Sequence, residues 1–156
     1  MSNLERRLVG AAALYPEITT LVLFGSRASG KERADSDLDV GILCREDDPN
    51  ARRDLQSRLA AELADLSPEG RVDVVYMDEA PVLLRQRIME TGRVLISTDP
   101  AAWKALRVRT MREFGDQEPY RRLFREALRR RIEQGGFGGR SGRALESLER
   151  TGKLPR

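Results

Sequence analysis

Apolar positions along the first hundred residues follow two rhythms in turn. Leu4, Leu8, Ala11, Ala12 and Leu14 fall at helical spacing, which predicts an amphipathic helix over residues 3–14, closed by Pro16. Residues 19–24, TTLVLF, are a short apolar run of β-favouring residues, a buried strand that ends at Gly25. A loop rich in glycine and charge leads to Ser36, and residues 38–43, LDVGIL, predict a second strand. Pro49 opens a helix at the early position proline favours, with Leu55, Leu59, Leu63 and Leu66 along one face. A turn at residues 68–70 leads to a third strand, VDVVY, at residues 72–76. Pro81 starts another helix that ends at Gly92, and residues 94–96 make a short fourth strand. Strands alternating with helices predict an α/β (α+β) domain, a small mixed β-sheet flanked by helices.

Beyond Pro100 the character changes. Residues 103–110 extend as helix, and Tyr120, Leu123, Phe124, Ala127, Leu128 and Ile132 mark an amphipathic helix over residues 119–134. Its opposite face carries Arg121, Arg122, Arg125 and Arg129, suited either to solvent or to an acidic protein or RNA; protein contact is favoured, because the aromatic interleaving of a single-strand binder is missing. GGFGGRSGR at residues 135–143 has too little apolar content to hold structure and reads as a linker or tail, with ALESLER adding a fraying turn or two. The expected organisation is therefore a domain at 1–102, a basic helical extension at 103–134 and a Gly/Arg-rich tail at 135–156.

Charge supports that division. The net charge of the 156-residue chain is +3, yet residues 1–102 carry a net −5 and residues 103–156 a net +8. No apolar run approaches a membrane span, and the N-terminus does not read as a signal peptide. The lone cysteine, Cys44, cannot form an internal disulfide, so a cytoplasmic location is expected. The chain has no histidine, which excludes Ser-His-Asp and Cys-His catalysis and leaves Cys44 without a base, so that it reads as a packed strand-end residue. One cysteine and no histidine also argue against zinc. A metal here must be held by carboxylates, which select hard cations such as Mg²⁺.

The carboxylates that matter are Asp37 and Asp39, at the mouth of the second strand. Residues i and i+2 share a strand face, so the two present side by side while Leu38, Val40 and Ile42 point the other way. Taken alone they also fit solvated strand-edge charges. Asp73 repeats the pattern between Val72 and Val74, and joins the pair if its strand lies beside theirs. Gly25 and Ser26 stand at the end of the preceding strand: a glycine lets backbone approach phosphate, and the serine has a hydroxyl and an amide to donate. Three carboxylates and a Gly-Ser turn make a two-metal site for nucleotidyl transfer, with Asp73 the general base. Arg27, and less so Arg33, are candidates for phosphate contact. Gly25, Gly30 and Lys31 also begin a P-loop pattern, but Glu32 stands where Ser or Thr must bind Mg²⁺. Tyr76 and Trp103 read as core.

Gly25-Ser26, ten residues, then Asp37-x-Asp39 resembles the signature of the DNA polymerase β-like nucleotidyltransferases. GSRA and the later VDVV…LLRQRIMETGRVLI look most like the minimal nucleotidyltransferases (MNT proteins), over about residues 1–98. Members often read GSRARG; Ser29 stands at the second arginine, which touches a phosphate or partner contact and not the metal site. The resemblance implies the polymerase β-like fold, with the C-terminal helix as an addition, two Mg²⁺ ions on Asp37, Asp39 and Asp73, and ATP at Gly25, Ser26 and Arg27. It also implies transfer of AMP to a tyrosine of a partner HEPN toxin, as antitoxin. The alternatives are an antitoxin that neutralises by binding alone, and a small-molecule nucleotidyltransferase, for which the C-terminal residues make a poor second domain. The chain is not the toxin, whose motif needs a histidine.

Overall fold

A computed structural model describes residues 1–28, 30, 36–67 and 70–133, with the side chain of residue 120 excepted. Ser29, Lys31, Arg33, Pro68 and everything expected of residues 135–156 lie outside the described residues. The elements follow in the order α1 (Asn3–Ala12), β1 (Ile18–Phe24), α2 (Gly25–Ala28), β2 (Leu38–Cys44), α3 (Pro49–Leu63), β3 (Val72–Tyr76), α4 (Val82–Thr91), β4 (Arg93–Ser97) and α5 (Pro100–Glu133). The strands form one mixed sheet in the order β3-β2-β1-β4. β1 runs antiparallel to β2 and to β4, while β2 and β3 are parallel. A parallel pair needs a crossover, and α3 supplies it.

Local chemistry sets the helix ends. Ser2 caps α1 in a capping box: Glu5 N–H donates to Ser2 Oγ at 3.2 Å, and Ser2 N–H donates to Glu5 Oε2 at 2.6 Å. Glu5 is buried and also pairs with Arg93 of β4, which ties α1 to the sheet edge. α1 ends at Ala12, two residues short of the periodic pattern, a difference within the normal fraying of a helix terminus. Asp48 caps α3, accepting from Ala51 N–H at 3.1 Å, with Pro49 in the first turn.

The alternation within the central strands builds a core on each side of the sheet. Leu21 and Leu23 of β1 join Leu38, Val40 and Ile42 of β2 beneath α1 and α3, whose Leu8, Leu55, Leu59 and Leu63 complete that layer. Val22 and Phe24 face the other way, with Met77, Ile88 of α4 and Leu106 of α5. Gly41 lies close on this second side, where a Cβ would stand 3.0 Å from the Met77 side chain. Tyr76 is core, as expected, and Trp103 packs half-buried on the second layer. Cys44 is half-buried at the end of β2, its thiol pushed up by burial.

The structure differs from expectation after Pro100. The separate helical segments are one helix of 34 residues with Pro119 inside it. Pro119 removes one donor from the ladder, but the residues on both sides favour helix strongly enough to continue it. Contacts divide the chain into compact units between Phe114 and Gly115. In the second unit Leu123, Phe124 and Ile132 of the apolar stripe read from the sequence are 61%, 70% and 57% exposed, while Leu128 is part-buried. No described helix is long and apolar enough to cross a membrane.

Candidate active site

A cleft of about 530 Å³ opens where β1 ends and β2 and β3 begin. Antiparallel pairing places Phe24, the last residue of β1, opposite Asp39. Parallel pairing places Asp39 directly beside Asp73, with Leu38 beside Val72 and Val40 beside Val74. Asp39 and Asp73 are thus on one sheet face, as the alternation required, and Asp37 reaches the same cleft from just before β2.

Gly25 turns the chain at the end of β1 with φ +74°, a conformation that suits glycine. A Cβ built there would collide with Asp39 Oδ2 and lie 2.9 Å from its Cγ. The strand end therefore presses its backbone against the central carboxylate, and Ser26 follows on the cleft wall. Residues 25–28 form a single helical turn where the sequence suggested loop.

Burial and the neighbouring charges of Asp73 and Asp37 hold the Asp39 carboxyl above the usual range, while Arg87 and Arg27 oppose that shift. A carboxylate held above its usual range by two neighbouring carboxylates suits a hard divalent cation, whose charge removes the repulsion. Among the described residues no three carboxylates already surround a common point. Asp37 is instead turned to Arg71, Oδ1 to Nε 2.7 Å, in a half-exposed ion pair that solvent weakens.

Arg27, expected as a phosphate contact, is not among the residues that line this cleft. Its Nε and Nη2 donate to Ser36 O at 3.2 and 3.0 Å, and Nη1 donates to Leu66 O at 3.2 Å. The guanidinium pins the segment that delivers Asp37 to the end of α3. Residues overlooked in the sequence are Arg71, Leu84 and Arg87, which line the cleft. Leu84 and Arg87 stand one turn apart on α4, an i, i+3 pairing legible in principle once the helix faces the sheet. A second cleft of about 330 Å³ lies at the far end of the strands, lined by Cys44, Asp78, Asp99 and Arg109 among others. It has no pairing of glycine turn and convergent carboxylates, so the chemistry is assigned to the first.

Comparison with known proteins bears on the family and the fold. The family described as "Polymerase beta, Nucleotidyltransferase" matches residues 7–101. The protein adenylyltransferase MntA of Shewanella oneidensis is 31% identical over 84 residues, 53% of this chain; the match spans 57% of that protein's length. A crystal structure of a toxin-antitoxin with AMP-PNP superposes with a TM-score of 0.64 at 25% identity, covering 80% of this chain and 97% of that one. The tri-AMPylated Shewanella oneidensis HEPN toxin in complex with MNT antitoxin shares the fold, with a TM-score of 0.58 at 22% identity, covering 80% of this chain and 95% of that one. With the family match covering all four strands and the residues that line the cleft, the chain belongs to the polymerase β nucleotidyltransferase family.

Proposed function

We propose that the chain transfers AMP from ATP to a hydroxyl of a partner protein, a tyrosine of a HEPN-type toxin, and so acts as its antitoxin. The observation that carries this reading is Gly25 closing on Asp39 while Asp73 stands beside it in register. The similarity to MntA and to toxin-antitoxin structures supports the donor, acceptor and partner.

In this reading Asp37, Asp39 and Asp73 would hold two Mg²⁺ ions, Asp37 leaving its pair with Arg71. Metal bound there would supply positive charge against the charge that develops in the transfer. Gly25 lets the main chain approach the triphosphate, and Ser26 donates to it. Arg27 adds charge from behind while holding Ser36 and Leu66. Asp73 takes the proton of the acceptor hydroxyl, whose oxygen bonds to the α-phosphorus; the bond from that phosphorus to the bridging oxygen breaks, and pyrophosphate leaves with the electron pair. Residues 1–102 carry this chemistry, and the basic extension at 103–134 meets the partner through Leu123, Phe124 and Ile132. A cytoplasmic location suits a reaction that draws on ATP.

The test is incubation with ATP labelled on the α-phosphate, Mg²⁺ and the HEPN-type partner, beside an Asp37→Asn/Asp39→Asn double variant. Label on the partner with wild type alone supports AMP transfer. No label, with both forms silencing the partner equally, replaces it with neutralisation by binding.

A further inference from the structure

Three arginines bear on the cleft, and the structure separates them by what they already hold. Arg27 is tied to the carbonyls of Ser36 and Leu66. Arg71 is paired with Asp37. Arg87, exposed on α4, makes no side-chain hydrogen bond or ion pair among the described residues. Its nearest acidic neighbour along the helix, Glu90, accepts from Gln86 Nε2 at 2.7 Å instead. Arg87 nonetheless belongs to the site, lining the same cleft as Asp37, Asp39 and Asp73.

An arginine that faces three carboxylates across a cleft without pairing to any of them is a cation kept for an anionic ligand. We propose that Arg87 binds the β- and γ-phosphates of the donor nucleoside triphosphate and holds the pyrophosphate as it departs. The inference rests on the nucleotidyl-transfer reading above. In that reading the reacting α-phosphorus lies on the carboxylate wall, where Asp73 meets the acceptor. The far end of the triphosphate then runs toward the part of the cleft lining that α4 provides through Leu84 and Arg87. A guanidinium offers two parallel donors that match the non-bridging oxygens of phosphate, and a lysine offers a single point charge.

The experiment measures equilibrium binding of two probes to the full chain with Mg²⁺. One is α,β-methylene-ATP, whose scissile link cannot break; the other is AMP. Arg87→Ala should weaken the triphosphate analogue by about tenfold or more, the scale of a lost charge-assisted hydrogen bond, and leave AMP binding nearly unchanged. Arg87→Lys should recover only part of the loss. Melting curves check that both variants fold. Equal affinity of wild type and Arg87→Ala for the analogue overturns the assignment while leaving the transferase reading intact. A parallel loss for AMP overturns it too, because Arg87 would then serve the nucleoside end. If the wild type itself binds neither probe, the donor reading fails and this inference with it.

Discussion

Gly25 and Asp39 are built against each other: the glycine holds φ +74°, and a side chain on it would enter the space occupied by the Asp39 carboxylate. Gly25→Ala therefore carries two penalties, a left-handed conformation costing roughly 1–2 kcal/mol and displacement of Asp39. AMP transfer should fall by roughly 10- to 100-fold or more, the range for residues that orient metal ligands. The melting temperature should drop by about 2–4 °C per kcal/mol lost. Near-native transfer by a well-folded Gly25→Ala protein would remove the close approach from the account.

The Asp39 carboxyl is held above its ordinary range, first by burial and then by Asp73 and Asp37. In metal-free protein its charged form is therefore worse off folded than unfolded. The stability linked to it is present below the unfolded-state value and is lost as pH rises through the folded-state value. In EDTA at neutral pH, Asp39→Asn should melt higher than wild type, and the gap should close as pH falls below the carboxylate range. Added Mg²⁺ should raise the wild type and leave the variant behind. Thermal melts across pH, with and without Mg²⁺, check both parts; a variant that melts lower in EDTA at neutral pH contradicts the first.

Arg27 donates to two carbonyls from different segments, one of them Leu66 at the end of the α3 region. Arg27→Ala leaves those carbonyls without their donor and should cost about 1–2 kcal/mol, at the lower end for charged donors because the site is partly exposed. Arg27→Lys should not restore it, since an ammonium cannot span both acceptors. Denaturant titration reads the loss; an Arg27→Ala protein as stable as wild type contradicts the bracing role.

Much of this was legible in the sequence, for a physical reason. Strand alternation assigns Asp39 and Asp73 to one side, because Leu38, Val40 and Val74 must be buried on the other, and the sheet has that register; Asp37 stands just before β2. What the pattern could not reveal depends on contacts distant in sequence. The Arg27–Leu66 bond closes over 39 residues, and Arg71 meets Asp37 only after β2 and β3 align. The continuity of α5 escaped because residues 111–118 carry no apolar stripe to join the two helical segments, yet the helix runs through them and through Pro119. The expected phosphate contact at Arg33 lies outside the described residues.

The exposed stripe of α5 offers a test of partner contact apart from the cleft. Phe124→Glu and Leu123→Glu add charge to residues that are mostly exposed, so neither should lower the melting temperature appreciably. Each should weaken binding of the HEPN-type partner by more than about 1 kcal/mol, the mark of a residue that matters at an interface. Unchanged affinity in both variants would move the contact elsewhere.

The central claim is that the Asp37, Asp39 and Asp73 cluster beside Gly25 transfers AMP to a partner protein. Its most direct test is the intact mass of the HEPN-type partner after co-expression with wild type and, separately, with the Asp37→Asn/Asp39→Asn variant. The account predicts a partner heavier by whole AMP units, carried on tyrosine, with the wild type and an unmodified partner with the variant. An unmodified partner that the wild type nevertheless silences would contradict it.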